Sequence, residues 1–282
     1  MNGRKKYLFK FYYIGLEKYY GSQRQPNFLT IEDVLIDVLK KRNYIKSVDF
    51  NDFEVSSRTD RYVSARGSTF SSIIEKKPIL MELNSFLPKE IGIWAYSKVN
   101  REFSSRHNAK MRHYRYIFKE PLSYMKKNYN FTLDIIRKGC KHFEGIHNFQ
   151  NFSKRSEEPK LLTRTIKRAE FKIINDYLIF DFESQGFLRQ QIRRMVKKLL
   201  ELGKGELDYG EFLDLFNPET FHSYQPANAD GLILWNIKYD HTIKFKIDKK
   251  SKKRMGDYFI KQKFEHGLKC QLFNTLEQND FS

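Results

Sequence analysis

The sequence is poor in cysteine. Only Cys140 and Cys270 occur in 282 residues, far apart and without paired spacing. Neither a disulfide framework nor a cysteine zinc site is indicated, and a reducing compartment fits. The seven histidines show no ligand spacing with cysteines or acids. Long apolar runs are missing as well: after Arg4, Lys5 and Lys6 the apolar stretch is broken by Lys10, too short for a signal or membrane segment. Acidic residues are in deficit, 34 against 52 lysines and arginines, which gives a formal charge of +18 and a pI near 9.6. Such a field favours polyanions and makes nucleic acid the leading partner; the alternative is that the lysines merely solvate the surface. What is present is ordinary for a folded protein. A hydrophobic content of 40%, with 16% aromatic, can bury one sizeable core or two smaller ones. A soluble, cytoplasmic protein is expected.

Tyr7, Phe9, Phe11 and Tyr13 alternate with Leu8, Lys10 and Tyr12, the period of a strand with an aromatic face. Ile31, Val34, Leu35, Val38 and Leu39 recur at helical spacing behind Thr30 and Asp33, which form a candidate capping box. Strand-like segments over 53–56 and 68–74, a short helix over 79–87 and a strand over 93–99 complete the order β-α-β-β-α-β. The second half repeats it with a strand over 114–118, a helix over 133–143, strands over 166–173 and 177–182, a helix from Phe187 and a last strand over 232–237. The repeat rests on element order alone, without sequence identity. The expected class is α+β: two ferredoxin-like or RNA-recognition-like halves, 1–104 and 105–240, flanking a basic cleft. Residues 241–282, with Lys249, Lys250, Lys252, Lys253 and Arg254 in one run, read as an appendage, either a solvated loop or an extra phosphate contact.

Three segments carry candidate chemistry. SRTDRYVSA (57–65) puts Arg58, Thr59 and Asp60 in a turn between two strands. An aspartate there is, on its own, most often a local backbone hydrogen-bonder. RHNAKMRHYRYIF (106–118) places Tyr114, Tyr116 and Phe118 on one strand face with Arg112 and Arg115 flanking them. Core packing accounts for Tyr116 and Phe118, whereas a tyrosine at the mouth of a cleft stacks on an exposed base for about 1–3 kcal/mol. GFLRQQIRRMVKKLLELGKG (186–205) reads as a helix stopped by Gly203. On a helical wheel Leu188, Ile192, Met195, Val196, Leu199 and Leu200 form one apolar arc, with Arg194 and Lys198 opposite. Arg189 and Arg193 fall within or at the edge of that arc, where an unpaired guanidinium is costly, so one of them should have a carboxylate partner. The spacing does not say which carboxylate; Asp60 would suit, since a guanidinium partner readies a cleft carboxylate for nucleophilic work.

Taken in order, these segments resemble the TruA-type tRNA pseudouridine synthases over about 240 residues. YYGSQRQP (19–26) resembles the family's N-terminal G-W-Q-R-Q segment, and SRTDRYVSA its catalytic R-T-D-A-G-V-H-A motif. NSFLPKEI and FSSRHNAKMRHYRY resemble its central block. FEGIHNFQNF (143–152), TRT (163–165), the segment from Gly186 and PANADGLILWNIKY (226–239) complete the pattern. The resemblance implies that Asp60 is the catalytic aspartate and Arg58 its motif neighbour at the substrate. It makes Tyr114 the tyrosine that stacks with the target base, Arg193 the arginine that pairs with the carboxylate, Leu232 the leucine of the uridine pocket and Arg24 an RNA contact. It further implies uridine isomerisation in the anticodon stem-loop of tRNA, without cofactor or metal, by a homodimer in which each tRNA touches both subunits. Ser22 stands in place of the family's tryptophan, and Arg61, Tyr62 and Ser64 in place of the small residues and histidine after the aspartate. These departures leave the chemistry standing and bear on the shape of the loop, hence on which uridines it accepts.

Two rival readings remain open on this sequence. One is a tandem RNA-binding module without catalysis, in which aromatic strand faces hold single-stranded RNA and Asp60 shapes a turn. The other is a synthase acting on a different RNA site.

Overall fold

The computed structural model describes residues 4–155 and 162–278. The first half contains β1 (Lys5–Tyr13), α1 (Ile31–Lys41), β2 (Glu54–Val55), β3 (Ser64–Ile74), α2 (Leu80–Phe86) and β4 (Ile91–Val99). The second contains β5 (Met111–Ile117), α3 (Leu122–Asn128), α4 (Leu133–Phe143), β6 (Gly145–Asn148), β7 (Thr163–Ile174), β8 (Tyr177–Ser184), α5 (Gln191–Lys204), α6 (Tyr209–Asp214) and β9 (Leu232–Lys238). β10 (Lys246–Ile247) and α7 (Lys249–Leu276) follow.

All the strands join one sheet in the order β10-β4-β1-β3-β9-β5-β8-β7-β6, with β2 attached to β3. Within it the runs β4-β1-β3-β2 and β9-β5-β8-β7 have the same internal order, fourth, first, third, second, of a β-α-β-β-α-β sandwich. The class is therefore α+β as expected. The halves are fused through their backbones: β3 and β9 pair in parallel at Ser64↔Ile233 and Ala65↔Leu234.

The alternation in β1 sends Phe9, Phe11 and Tyr13 into the main core with Leu35, Leu39 and Phe70. Phe9 stacks on Phe70 with centroids 4.7 Å apart. The opposite face is also covered: Leu8 packs with Val99 and Phe103, and Tyr12 with Trp94 and Met255. α1 starts where its capping box predicts, Asp33 N donating to Thr30 Oγ1 at 3.3 Å and Thr30 N to the Asp33 carboxylate at 3.0 Å. Such a cap contributes about 1 kcal/mol.

α3, β6 and α6 fall outside every expected segment, and two of the expected elements take a different form. α5 begins at Gln191, after Gln190 in the left-handed region (φ 61°), and ends at Gly205 (φ 72°). Leu188 N donates to Gln191 Oε1 at 2.7 Å, so the 186–190 stretch forms the entry turn, and Arg189 never joins the helical wheel. Gly203 is inside α5, where a Cβ would come within 2.5 Å of Ile136; it serves the close approach of α4 and stops nothing. The second difference is the appendage, a 28-residue helix capped by Asp248, whose Oδ1 accepts from Ser251 N at 2.7 Å. Arg254, from its basic run, donates inward to the carbonyls of Leu87 (3.0 Å), Pro88 (3.3 Å) and Ile91 (3.3 Å). Ser251 and Met255 are the buried residues of α7, whereas Phe264, Leu268, Leu272 and Leu276 are exposed. Residues 279–282 of the expected extension lie outside the described residues. Among the described residues no helix is long and apolar enough to cross a membrane.

Because the anchoring contacts of α7 lie in its first turns, a chain ending after Gln262 should melt at the same temperature as the full chain in differential scanning fluorimetry. A fall of several degrees would show that the exposed turns support the fold.

Candidate active site

Asp60 stands on the loop from β2 into β3, and three parts of the molecule hold that loop. The first is the segment after β1. Ser22 N donates to Thr59 O at 3.1 Å, Thr59 N donates to Ser22 Oγ at 2.8 Å, and the hydroxyls of Tyr13 and Thr59 share a hydrogen bond of 2.7 Å. Two glycines permit this approach. A Cβ at Gly15 would fall 2.3 Å from the Tyr62 carbonyl carbon, and one at Gly21, where φ is +90°, 2.8 Å from Thr59 O. Ser22, a departure from the family pattern, is thus a buried hydroxyl clamped to the loop one residue from Asp60.

The second support comes from β5. Arg112 Nε donates to Ser57 Oγ at 2.8 Å and Nη2 to the carbonyls of Ser56 and Arg106, both at 2.9 Å, while Nη1 reaches Gln185 O. One planar guanidinium so gathers the start of the Asp60 loop and two other turns. Sequence reading had Arg112 only as a basic flank. The signal was available: with a period of two, Arg112 falls in line with Tyr114 and Tyr116 on the buried face, where an arginine must have partners.

The third is α5, from the other half of the molecule. Arg193 Nη1 donates to Asp60 Oδ2 at 3.0 Å and Nε to Ala227 O at 2.7 Å. Ala227 N returns a bond to Arg193 O at 3.1 Å. The Arg193 side chain is 14% exposed and that of Asp60 37%, so the carboxylate is gripped on one side and open on the other. Of the two arginines singled out on the wheel, Arg193 has the carboxylate partner and Arg189 is exposed.

Tyr114 feels the Asp60 charge and is 7% exposed, more enclosed than the cleft-mouth tyrosine expected from the sequence. Its ring meets the edge of Phe187 at 5.4 Å and 87°. Burial raises its hydroxyl pKa, nearby Arg112 and Ser57 pull it down, and Asp60 pushes it up. Phe187, half-buried on the entry turn of α5, was missed because a lone aromatic in a turn has no periodicity to mark it. Leu232 opens β9, is buried, and pairs across the strands with Tyr116. Arg58 is exposed, and Arg24 is half-exposed at 3.9 Å from Glu32. Burial raises the Glu32 carboxyl pKa, and Arg24 and Arg58 both act to lower it, which puts the two arginines in one electrostatic neighbourhood.

A carboxylate oriented from the far half of the chain, with one face open among exposed arginines, can act on a sugar or a base of a polyanion. It stands close to the joint of two fused β-α-β-β-α-β halves. Comparison with known proteins gives the class. A family model described as tRNA pseudouridine synthase matches residues 140–240. A protein called tRNA pseudouridine synthase A from Methanosphaera stadtmanae is 34% identical over 95% of this chain and 98% of its own length. One of the same description from Archaeoglobus fulgidus is 31% identical over 98% of this chain and 99% of its own. The chain belongs to the tRNA pseudouridine synthase family. Among solved structures, a chain in a Cbf5-Nop10-Gar1 complex aligns with a TM-score of 0.36 and 15% identity over 69% of this chain and 45% of that one, too loosely to carry an argument.

Arg193→Met should lower the free energy of urea unfolding by on the order of 1–3 kcal/mol, the usual cost of losing a charged hydrogen bond. The loss is smaller than for a fully enclosed pair because Asp60 keeps an exposed face. Unchanged stability would show that the pair contributes nothing to the fold. Gly21→Ala should cost more than about 1 kcal/mol in the same measurement, since it combines a positive φ with a contact against Thr59 O.

Proposed function

We propose that this protein isomerises uridine to pseudouridine in the anticodon stem-loop of tRNA, with Asp60 as its catalytic carboxylate. The observation that carries the reading is the contact of Arg193 with Asp60 across the two halves. In this reading 1–104 supplies the carboxylate, 105–240 the tyrosine and the arginine, and 241–282 an extension. The exposed Lys249, Lys250, Lys252 and Lys253 of the extension are available for phosphate.

The reaction breaks the N1 to C1′ bond, rotates the base and forms a C5 to C1′ bond. The C5 hydrogen leaves as a proton and N1 gains one, so atoms and electrons balance without an external carrier. Asp60 attacks at the sugar or at the base ring. Because Arg193 takes Oδ2, the carboxylate is held in one orientation and Oδ1 is left for the reacting carbon. Tyr114 forms the surface on which the target base stacks once the Phe187 ring yields, and Leu232 lines the uridine pocket beside it. Drawing a uridine from its stack costs a few kcal/mol. Stacking on Tyr114, about 1–3 kcal/mol, offsets much of that cost. Arg58 and Arg24, together with the net charge of +18, grip the folded backbone. The family resemblance adds a cytoplasmic homodimer in which each tRNA touches both subunits, with no cofactor, metal or membrane involved.

Asp60→Asn should abolish tritium release from tRNA labelled at C5 of uridine while filter binding shows tRNA affinity retained. Undiminished release would overturn the assignment of Asp60. Pseudouridines mapped outside the anticodon arm would instead move the substrate site.

A further inference from the structure

Beside Asp60 the loop carries a feature that the isomerisation itself does not require. Seven non-glycine residues described here have positive φ, and five of them are Asn or Asp, the types that tolerate it. Tyr62, at φ 69°, is the aromatic exception. Its backbone is pressed against Gly15, so the left-handed turn is imposed by the packing of the loop and does not depend on the side chain. The ring is 38% exposed and belongs to none of the hydrophobic clusters. A bulky, partly exposed side chain is held in a conformation that favours glycine. Strain of this kind persists where function needs it.

The ring does have partners, and they form a stack. The Arg61 guanidinium lies 4.8 Å from the Tyr62 centroid and 4.0 Å from that of Tyr20. Tyr20 in turn stacks on Phe28 at 4.2 Å and 23°. Arg61 is kept in place by donating from Nη2 to Glu17 O at 2.9 Å. The result is a continuous run of flat groups, Phe28, Tyr20, Arg61 and Tyr62, held by contacts within the protein. Flat π surfaces joined to a cation are what unpaired bases bind, and a platform fixed by its own contacts loses little entropy on binding. Only Arg61 separates Tyr62 from Asp60, so their Cα atoms are at most about 7.6 Å apart, a span that suits neighbouring nucleotides of one strand.

We propose that the exposed face of Tyr62 is a stacking site for an unpaired nucleobase next to the uridine that Asp60 acts on. This rests on the reading of the protein as a tRNA-acting enzyme. Tyr62 is thereby a specificity-determining residue: it favours targets whose neighbour is free to leave its own stack, as in a loop.

Tyr62→Gly and Tyr62→Phe test it, with melting temperature, tritium release and tRNA binding measured for each. Tyr62→Gly relieves the strained backbone and should melt at or above the wild-type temperature. Its dissociation constant and KM for unmodified tRNA should nonetheless rise by about fivefold to a hundredfold, the loss of one base stack. Tyr62→Phe keeps the ring and should bind as the wild type does. The ratio of glycine-variant to wild-type affinity should also persist when salt is raised, because stacking releases no counterions. A glycine variant with unchanged affinity and KM overturns the proposal. So does a phenylalanine variant as weak as glycine, or a weakening that disappears at high salt. Wild-type protein that releases no tritium would sink the enzyme reading, while the binding comparison would still decide the stacking site.

Discussion

The ion pair between Asp60 and Arg193 is the constraint around which the molecule is arranged. Its two members come from opposite halves of the chain, and each has further bonds that hold it. Asp60 hangs on a loop whose backbone is bonded to Ser22, and Arg193 stands on a helix and also holds the carbonyl of Ala227. A half-exposed carboxylate paired with a free surface lysine would gain little, since such pairs are screened by water. Here the guanidinium is mostly buried and its second bond goes to backbone, so its orientation is settled by packing. The carboxylate inherits that orientation while one face stays available to a substrate.

The loop gains its definition from contacts that are mostly small. Gly15 and Gly21 let two stretches of backbone approach more closely than any side chain would allow. Ser22 supplies a hydroxyl in the space so created, and Arg112 closes the other end by satisfying acceptors on three separate segments. A geometry built from backbone bonds tolerates large changes in the outward side chains. That is why Arg61 and Tyr62 can stand after Asp60 without disturbing its position.

Much of this was legible in the sequence where a local rule decides the outcome. The Thr30 capping box, the period of β1 and the helical spacing of 133–143 each have a short-range cause, and the structure follows them. Arg193 was singled out because a guanidinium on an apolar arc needs a partner, although its pairing with Asp60 came only from resemblance. Failures occurred where a tertiary contact overrode a local signal. Gly203 looks like a helix stop, yet the nearness of Ile136 and Phe131 puts it to use inside α5. The basic run after Tyr239 looked like an appendage, yet Arg254 and Met255 seat it against β4 and the turn after α2. Tyr114 read as a mouth residue because nothing in its own segment announces Phe187.

The narrow parallel joint between β3 and β9 links segments that lie far apart along the chain. Bringing such distant partners together closes a very large loop, and pairings of that kind are slow to form. The joint is also what sets the two members of the ion pair opposite each other. A nascent or partly folded polypeptide with only one half ordered therefore holds a carboxylate without its guanidinium, or the reverse. Under the proposed function, closing the sheet and assembling the site are therefore one step.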